Sequence, residues 1–293
     1  MMRIFLSWSP VPPDPPFWKW IQVDGIVVSI ALLKQENMLE RATLIGLHEM
    51  LEFKGCIFLD SGSYEDFIAD KKLRPNTSEE LLALARWLGV DFVAHSDLPF
   101  VGKNRMLPEE EKWRLIEQNI LNAKIAQNWS KQYKNRTQVV YVIQGWSEES
   151  LLYCCEALAK LDEDYYALGS LLGLQPHEIV SRVRLVRSVI GDEPKLHLFA
   201  VSNPQVLNSV KHLVDSIDSS TASISGAMKE VFDPSGGRKN INRMHKIKCD
   251  CPVCLKYGGA IFLQGREGLQ NYYNQLRKVH NAYHLIKRLE KLK

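Results

Sequence analysis

No stretch of this 293-residue chain approaches the eighteen or so consecutive apolar residues that a membrane helix requires, so a spanning protein is excluded as a sequence reading. Charge of one sign is equally lacking. Lys and Arg number 37 against 34 Asp and Glu, a formal net charge of +3, so any polyanion would have to be met by a local patch. Cysteine is scarce, with six residues, and three of them fall in one short motif. Cys56 sits in an apolar run and Cys154-Cys155 in a helical one, which reads as buried thiols rather than half-disulfides and suits a reducing cytoplasm. The start of the chain, rich in Trp and Pro, has too short an apolar run for a secretory signal. Internal repeats, low-complexity tracts and a Ser-His-Asp pattern are also missing.

What is present begins with Cys249-Asp-Cys-Pro-Val-Cys254, followed after 25 residues by His280. Three thiols spaced C-x-C-x-x-C and one distant imidazole match a tetrahedral zinc set, Cys249, Cys251, Cys254 and His280. His280 lies in Gly268–Leu292, where Leu269, Tyr273, Leu276, Tyr283 and Ile286 recur at helical intervals and turn the imidazole inward. Four protein ligands leave no position for water, so the zinc is expected to be structural. The chemistry must then lie elsewhere.

Short β-branched runs recur along the chain: Arg3–Ser7, Gly25–Ile30, Cys56–Leu59, Asp91–His95, Val139–Ile143, Tyr165–Leu168, Leu196–Val201 and Val214–Ile217. Helical segments separate most of them, at Ser78–Leu88, Pro108–Asn128, Ser147–Leu161, Pro176–Ile190 and Asn203–Lys211. The link after the first strand, with Pro10, Pro12, Pro13, Pro15 and Pro16, reads as an irregular loop. Eight strands with helical crossovers predict an α/β fold, a (β/α)8 barrel over residues 1–232. A zinc-binding appendage over 233–293, ending in the long helix, docks on it.

In such a barrel, residues at the C-terminal strand ends carry function. Here these are Asp60-Ser-Gly-Ser-Tyr64, His95-Ser-Asp97, Gln144-Gly145, Gly169-Ser170, Phe199 with the residues after it, and Asp215 and Asp218 from the eighth strand. Two carboxylates across one mouth are the apparatus of glycosidic-bond chemistry, and a carboxylate nucleophile needs no adjacent base. An Asp, a Gln and a flat aromatic suit the edge and face of a purine. Singly the residues say little: a strand-end Asp also caps helices, Tyr64 also fits a core, and Gly145 and Gly169 also fit turns. The set carries the reading.

Together, the metal motif and the ordered strand ends resemble the tRNA-guanine transglycosylase superfamily over about residues 25–290. That resemblance implies exchange of a nucleic-acid guanine for a 7-deazaguanine, such as 7-cyano-7-deazaguanine, through a covalent glycosyl-enzyme. Asp218 would be the nucleophile and Asp60 the general acid/base. Tyr64 would stack on the base, Asp97, Gln144 and Gly145 would read its edge, Gly169 and Ser170 would line the pocket, Phe199 would lie under the purine, and Asp215, in the nucleophile segment, would help bind the substrate. After Asp218 the sequence runs Ser219-Ser-Thr-Ala-Ser-Ile-Ser-Gly-Ala-Met228, without the Pro-Thr-Arg of the tRNA enzymes. With Ser63 and Ser170 in place of glycines, this looks more like the DNA-guanine branch. DNA is therefore the expected polymer and tRNA the alternative. Both aspartates argue against a non-catalytic accessory subunit. Relatives imply a homodimer or a helper protein. Arg238, Lys239, Arg243, Lys246 and Lys248 are expected to meet the nucleic acid, whereas Lys287, Arg288, Lys291 and Lys293 read as a solvated helix face.

Overall fold

The computed structural model describes residues 2–35, 38–64, 77–133, 136–234, 237–243, 247–259 and 269–292. Eight strands, β1 (Arg3–Trp8), β2 (Gly25–Ser29), β3 (Cys56–Asp60), β4 (Phe92–Ala94), β5 (Gln138–Ile143), β6 (Tyr165–Leu168), β7 (Lys195–Leu198) and β8 (Ser216–Ser219), close in sequence order. All neighbours are parallel, and the seam joins first to last with Phe5 opposite Asp218. This is the expected (β/α)8 barrel.

Alternation along each strand sorts the side chains into two cores. Phe5, Val27, Phe58, Phe92, Ala94, Val140, Val142, Tyr165 and Ala167 fill the barrel interior. Their neighbours one residue away, such as Ile4, Leu6, Ile57, Leu59, Val93 and Tyr141, face the surrounding helices. A fully buried Phe or Ile of this kind contributes about 1.5–3 kcal/mol.

Most strand boundaries shift by one to three residues from the expectation, β7 ending at Leu198 rather than Val201, and two of the shifts have a visible reason. The fourth strand begins after Asp91, whose carboxylate accepts the Ile57 amide at 2.7 Å and is engaged as a cap. The eighth starts and ends two residues later than expected, because Asp215 turns its carboxylate back to the Leu196 amide (2.8 Å) and to Arg187 (2.9 Å). Helix starts follow local chemistry. Thr77 and Glu80 form a capping box for Ser78–Leu88, which stops at Gly89 in the left-handed region (φ 65°). Asn203 caps Pro204–Val210. Between β2 and β3 the chain makes three short helices, Ile30–Gln35, Met38–Ile45 and Leu47–Leu51, that the sequence reading did not anticipate.

Beyond the barrel, Thr221–Ala227 is helical and β9 (Glu230–Phe232) pairs antiparallel with β10 (Arg238–Asn240). Pro252–Tyr257 and the long Gln270–Glu290 helix follow. Gly226 carries no Cβ, which would stand 2.7 Å from Lys278 Cγ and 3.1 Å from its backbone nitrogen, so the two helices meet closely. Arg277 Nε donates to the Gly226 carbonyl at 3.0 Å. Lys278 Nζ reaches Asp14 Oδ1 at 2.7 Å on the loop after β1. The terminal helix is thus tied to both ends of the barrel sequence.

Candidate active site and metal cluster

Alternation also decides which strand-end side chains enter the mouth. Ser7 and Ser29 follow Phe5 and Val27; Asp60 follows Phe58; Gln144 and Gly169 follow Val142 and Ala167; Phe199 and Asp218 follow His197 and Ser216. Asp218 is buried and held by three donors. Its Oδ1 accepts the Ala200 amide at 2.7 Å and lies 3.3 Å from His197 Nε2, and its Oδ2 accepts the Ser7 hydroxyl at 3.1 Å. Ala200 reaches that carboxylate from the left-handed region (φ 59°). Three polar groups from β1, β7 and the turn after β7 thus converge on one buried carboxylate.

A second buried cluster sits at the ends of β4, β5 and β6. Asp97 Oδ1 accepts the Ser61 hydroxyl at 2.6 Å and Oδ2 the Gln144 amide at 2.6 Å. Burial pushes the Asp97 carboxyl above its ordinary value, against the lowering effect of those two hydrogen bonds. Gln144 Oε1 in turn accepts the Ser170 hydroxyl at 2.5 Å, and Ser170 Oγ accepts the Phe100 amide at 2.8 Å. Gly169 makes room: a Cβ there would stand 2.5 Å from both ends of the Gln144 amide. Ser170 occupies the left-handed region (φ 56°), a strained place for a non-glycine residue. The chain Phe100–Ser170–Gln144–Asp97 therefore fixes which end of the Gln144 amide faces the aspartate.

The remaining expected residues divide. Asp60 is half-buried at the end of β3 and accepts the Gly62 amide at 3.1 Å. Tyr64 is 42 % exposed, and residues 65–76 after it lie outside the described chain. Phe199 is half-buried, its ring 4.8 Å from that of His197 and 5.7 Å from that of Phe58. Gly145 answers to packing, since a Cβ there would stand 2.6 Å from Leu151 Cα on the next helix. Asp215 is a correction: it precedes β8, on the opposite end of the barrel from Asp218, and its ties to Arg187 and the Leu196 amide keep it out of the mouth. His95 likewise turns away. It is fully buried, accepting the Val142 amide on Nδ1 (3.1 Å), with Nε2 3.3 Å from Asn119, and burial lowers its pKa to about 4. His197 was missed, because a histidine inside a strand has no spacing signal of its own.

Cys249, Cys251, Cys254 and His280 place their ligand atoms within 4.8 Å of one another, a cluster able to hold a metal ion. His280 Nδ1 lies 3.7, 3.3 and 3.6 Å from the three sulfurs. Tetrahedral bonds of zinc length put nitrogen and sulfur ligands about 3.5 Å apart, so the donor set fits the ion. Nε2 of the same ring donates to the Phe232 carbonyl at 2.8 Å, leaving Nδ1 bare for a metal. His284, not anticipated, brings Nε2 to 3.0 Å from Cys249 Sγ.

Between the mouth and the terminal helix lies a cavity of about 920 Å3, lined on one side by Ala200–Gln205 and on the other by Arg238, Lys287, Arg288 and Lys291. The guanidiniums of Arg238 and Arg288 each stand 5.5 Å from the Phe232 ring. Neither has a carboxylate partner among the described residues, and burial, then the Arg238 charge, lowers the Arg288 pKa. The expected patch is therefore redistributed. Arg238 faces this cavity, Lys239 is paired with Asp233, Arg243 and Lys248 are exposed, and Lys246 lies outside the described residues. Lys287, Arg288 and Lys291 line the cavity rather than a merely solvated face, and Lys287 also pairs with Asp250 at 2.7 Å; Lys293 lies outside the described residues.

A buried carboxylate and a buried Asp97–Gln144 cluster thus stand at one end of a (β/α)8 barrel. Comparison with known proteins narrows this. The family described as queuine tRNA-ribosyltransferase matches residues 21–293, and the chain belongs to that family. Similar relatives named tRNA-guanine(15) transglycosylase include those of Korarchaeum cryptofilum (23 % identical over 276 residues, 92 % of this chain and 45 % of the relative). Those of Haloferax volcanii (24 %, 92 % and 51 %) and Methanopyrus kandleri (23 %, 94 % and 59 %) are further examples. The chain thus spans about half the length of the curated relatives it matches. Among the described residues, no helix is long and apolar enough to cross a membrane.

Proposed function

We propose that the protein is a guanine transglycosylase that replaces guanine in tRNA with a 7-deazaguanine base. The observation that carries this reading is the mouth itself: a three-donor carboxylate at Asp218 beside the buried Asp97–Gln144 cluster, in a barrel of this family. Asp218 attacks C1′ of the target nucleoside, and guanine leaves with the C1′–N9 electron pair and a proton from Asp60. The incoming base then gives its ring N–H proton to Asp60, its nitrogen bonds to C1′, and the Asp218 carboxylate is released. Asp97, Gln144 and Ser61 meet the base edge, with Gly169 and Ser170 at their side and Phe199 and Tyr64 as flat surfaces. The target nucleotide must be unpaired or flipped to reach this depth.

Cys249, Cys251, Cys254 and His280 would hold zinc, a closed four-ligand structural site that supplies no step of the reaction. The cavity cations Arg238, Lys287, Arg288 and Lys291 would take the phosphates beside the target nucleotide. The relatives' printed names support tRNA as the polymer in place of the DNA expected from sequence. DNA stays as a second reading on one observation. The segment after Asp218 has no basic residue from Ser219 to Met228, and its Thr221–Ala227 helix packs under the terminal helix instead of facing a polymer.

The test is exchange of radiolabelled guanine into tRNA, single-stranded DNA and duplex DNA, with Asp218→Ala as control. Label in tRNA, lost in the variant, is the expected result. Label in DNA alone moves the polymer, and label retained by Asp218→Ala removes the nucleophile assignment.

A further inference from the structure

His197 is closed to solvent inside the barrel, on β7 directly below Phe199. The rings of Phe5 (5.9 Å), Phe58 (5.1 Å) and Phe199 (4.8 Å) hold it. Its Nε2 lies 3.3 Å from Asp218 Oδ1 and its Nδ1 2.8 Å from Ser216 Oγ, which is 2.6 Å from the Tyr165 hydroxyl. With Asp218 read as the attacking carboxylate its oxygens only accept, so Nε2 carries hydrogen toward it.

Two arrangements then remain for Nδ1. If it also carried hydrogen, it would donate to Ser216, and of the two hydroxyl hydrogens of Ser216 and Tyr165 only one would find an acceptor within the row. With Nδ1 bare, Tyr165 donates to Ser216, Ser216 to Nδ1, and Nε2–H to Asp218. Every hydrogen in the row is then used, and all point toward the carboxylate. The consequence falls on Asp218. Its Oδ1 receives two donors, the Ala200 amide and His197, which fill both lone pairs in the carboxylate plane. Among the described residues its Oδ2 receives one donor, the Ser7 hydroxyl, against two at Oδ1.

We infer that His197 is a positioning residue, held as the Nε2–H tautomer by Ser216 and Tyr165, that pins Oδ1 of Asp218 and makes Oδ2 the atom that attacks C1′. The inference rests on the reading of Asp218 as nucleophile. In the step itself, Oδ2 bonds to C1′, the C1′–N9 bond breaks with its electron pair going to guanine, and Oδ1 becomes the ester carbonyl oxygen still held by His197 and Ala200.

Single-turnover formation of the covalent adduct, trapped by denaturation, is to be measured in the full chain for His197→Phe, His197→Gln and Ser216→Ala, beside nucleic-acid affinity and melting temperature. Phe keeps the ring packing and removes the donor, whereas the Gln amide restores a donor at about the Nε2 position. Loss of one hydrogen bond to a charged group corresponds to about a 10- to 100-fold slower adduct rate in His197→Phe at unchanged affinity. His197→Gln should recover most of that rate, and Ser216→Ala should fall between. Adduct formation by His197→Phe at the parental rate overturns the inference, as does a His197→Gln variant as slow as His197→Phe. Should the parent form no adduct with any polymer, the nucleophile reading itself fails. The tautomer is then decided by the imidazole 15N shifts of the parent, where a hydrogen on Nδ1 overturns the proposed arrangement and one on Nε2 alone upholds it.

Discussion

Lys278 and Asp14, 264 residues apart, form an ion pair at 2.7 Å with side chains only 3 % and 4 % exposed. Burial pushes the Asp14 carboxyl above its ordinary value, and the Lys278 charge opposes that shift. Removing Lys278 leaves Asp14 buried without its counter-charge, with the Ser9 amide (3.1 Å) as a remaining donor. Lys278→Met is therefore expected to cost about 3–5 kcal/mol in chemical denaturation, and adding Asp14→Leu to recover most of it. A Lys278→Met variant as stable as the parent would show that the terminal helix is anchored by other contacts alone.

Ser170 spends a left-handed backbone conformation on a hydroxyl that orients Gln144. Ser170→Gly relieves the strain, about 1 kcal/mol, and loses a hydrogen-bond link of similar size. Melting should shift by only a few degrees. The freed Gln144 amide should raise KM for the incoming base by about 5- to 10-fold. An unchanged KM would mean that Asp97 alone orients the amide.

His95 gives the fold an acid-side sensitivity. Its folded pKa, lowered by burial from 6.5 to about 4, lies below the unfolded value, so the unfolded chain takes up the proton first as pH falls. Stability from this group is complete above pH 6.5 and is lost between 6.5 and about 4, by roughly 3 kcal/mol. Unfolding free energy measured across that window should fall more steeply in the parent than in His95→Gln. Parallel curves would remove His95 as the source.

Cys254→Ala should lower metal content and weaken the fold by several kcal/mol, about the scale on which a structural metal couples to folding. A chelator should reproduce the loss in the parent and add nothing in the variant. Identical melting of parent, variant and chelated parent would count against a structural ion.

For the cavity cations the readout is salt dependence. Arg288→Ala and Arg238→Ala should each reduce the slope of log affinity against log salt by about 0.7–0.9, the loss of one phosphate contact. Lys248→Ala, exposed and absent from the cavity wall, should leave the slope unchanged. Equal effects of all three would indicate a diffuse surface rather than a groove.

Much of this molecule is legible along the chain, and the rest is hidden for physical reasons. Strands such as Val139–Ile143 and Tyr165–Leu168 announce themselves because a strand buried on both faces is apolar at every position. The cysteine cluster announces itself by spacing. Asp215 misled because a strand-end Asp and a strand-start Asp look alike in sequence; only the register, with Ser216 and Asp218 inside, separates them. His197 stayed silent and Arg288 read as part of a solvated face because their partners, Asp218 and Phe232, stand 21 and 56 residues away and meet them only in the closed fold. Sequence patterning reports burial and local geometry, whereas polar partnership across a barrel is a property of closure.

That closure has one more consequence. Ser7 on the first strand donates to Asp218 on the last, and Phe5 and Asp218 sit side by side across the seam. The setting of the proposed nucleophile is therefore assembled from the two extremities of the barrel sequence. During synthesis it is the last part of the barrel to be completed, and no nascent chain lacking β8 contains it. Reactivity at Asp218 is thereby a reporter of ring completion: two fragments divided between β4 and β5 would acquire it only by reassociating into the full circle.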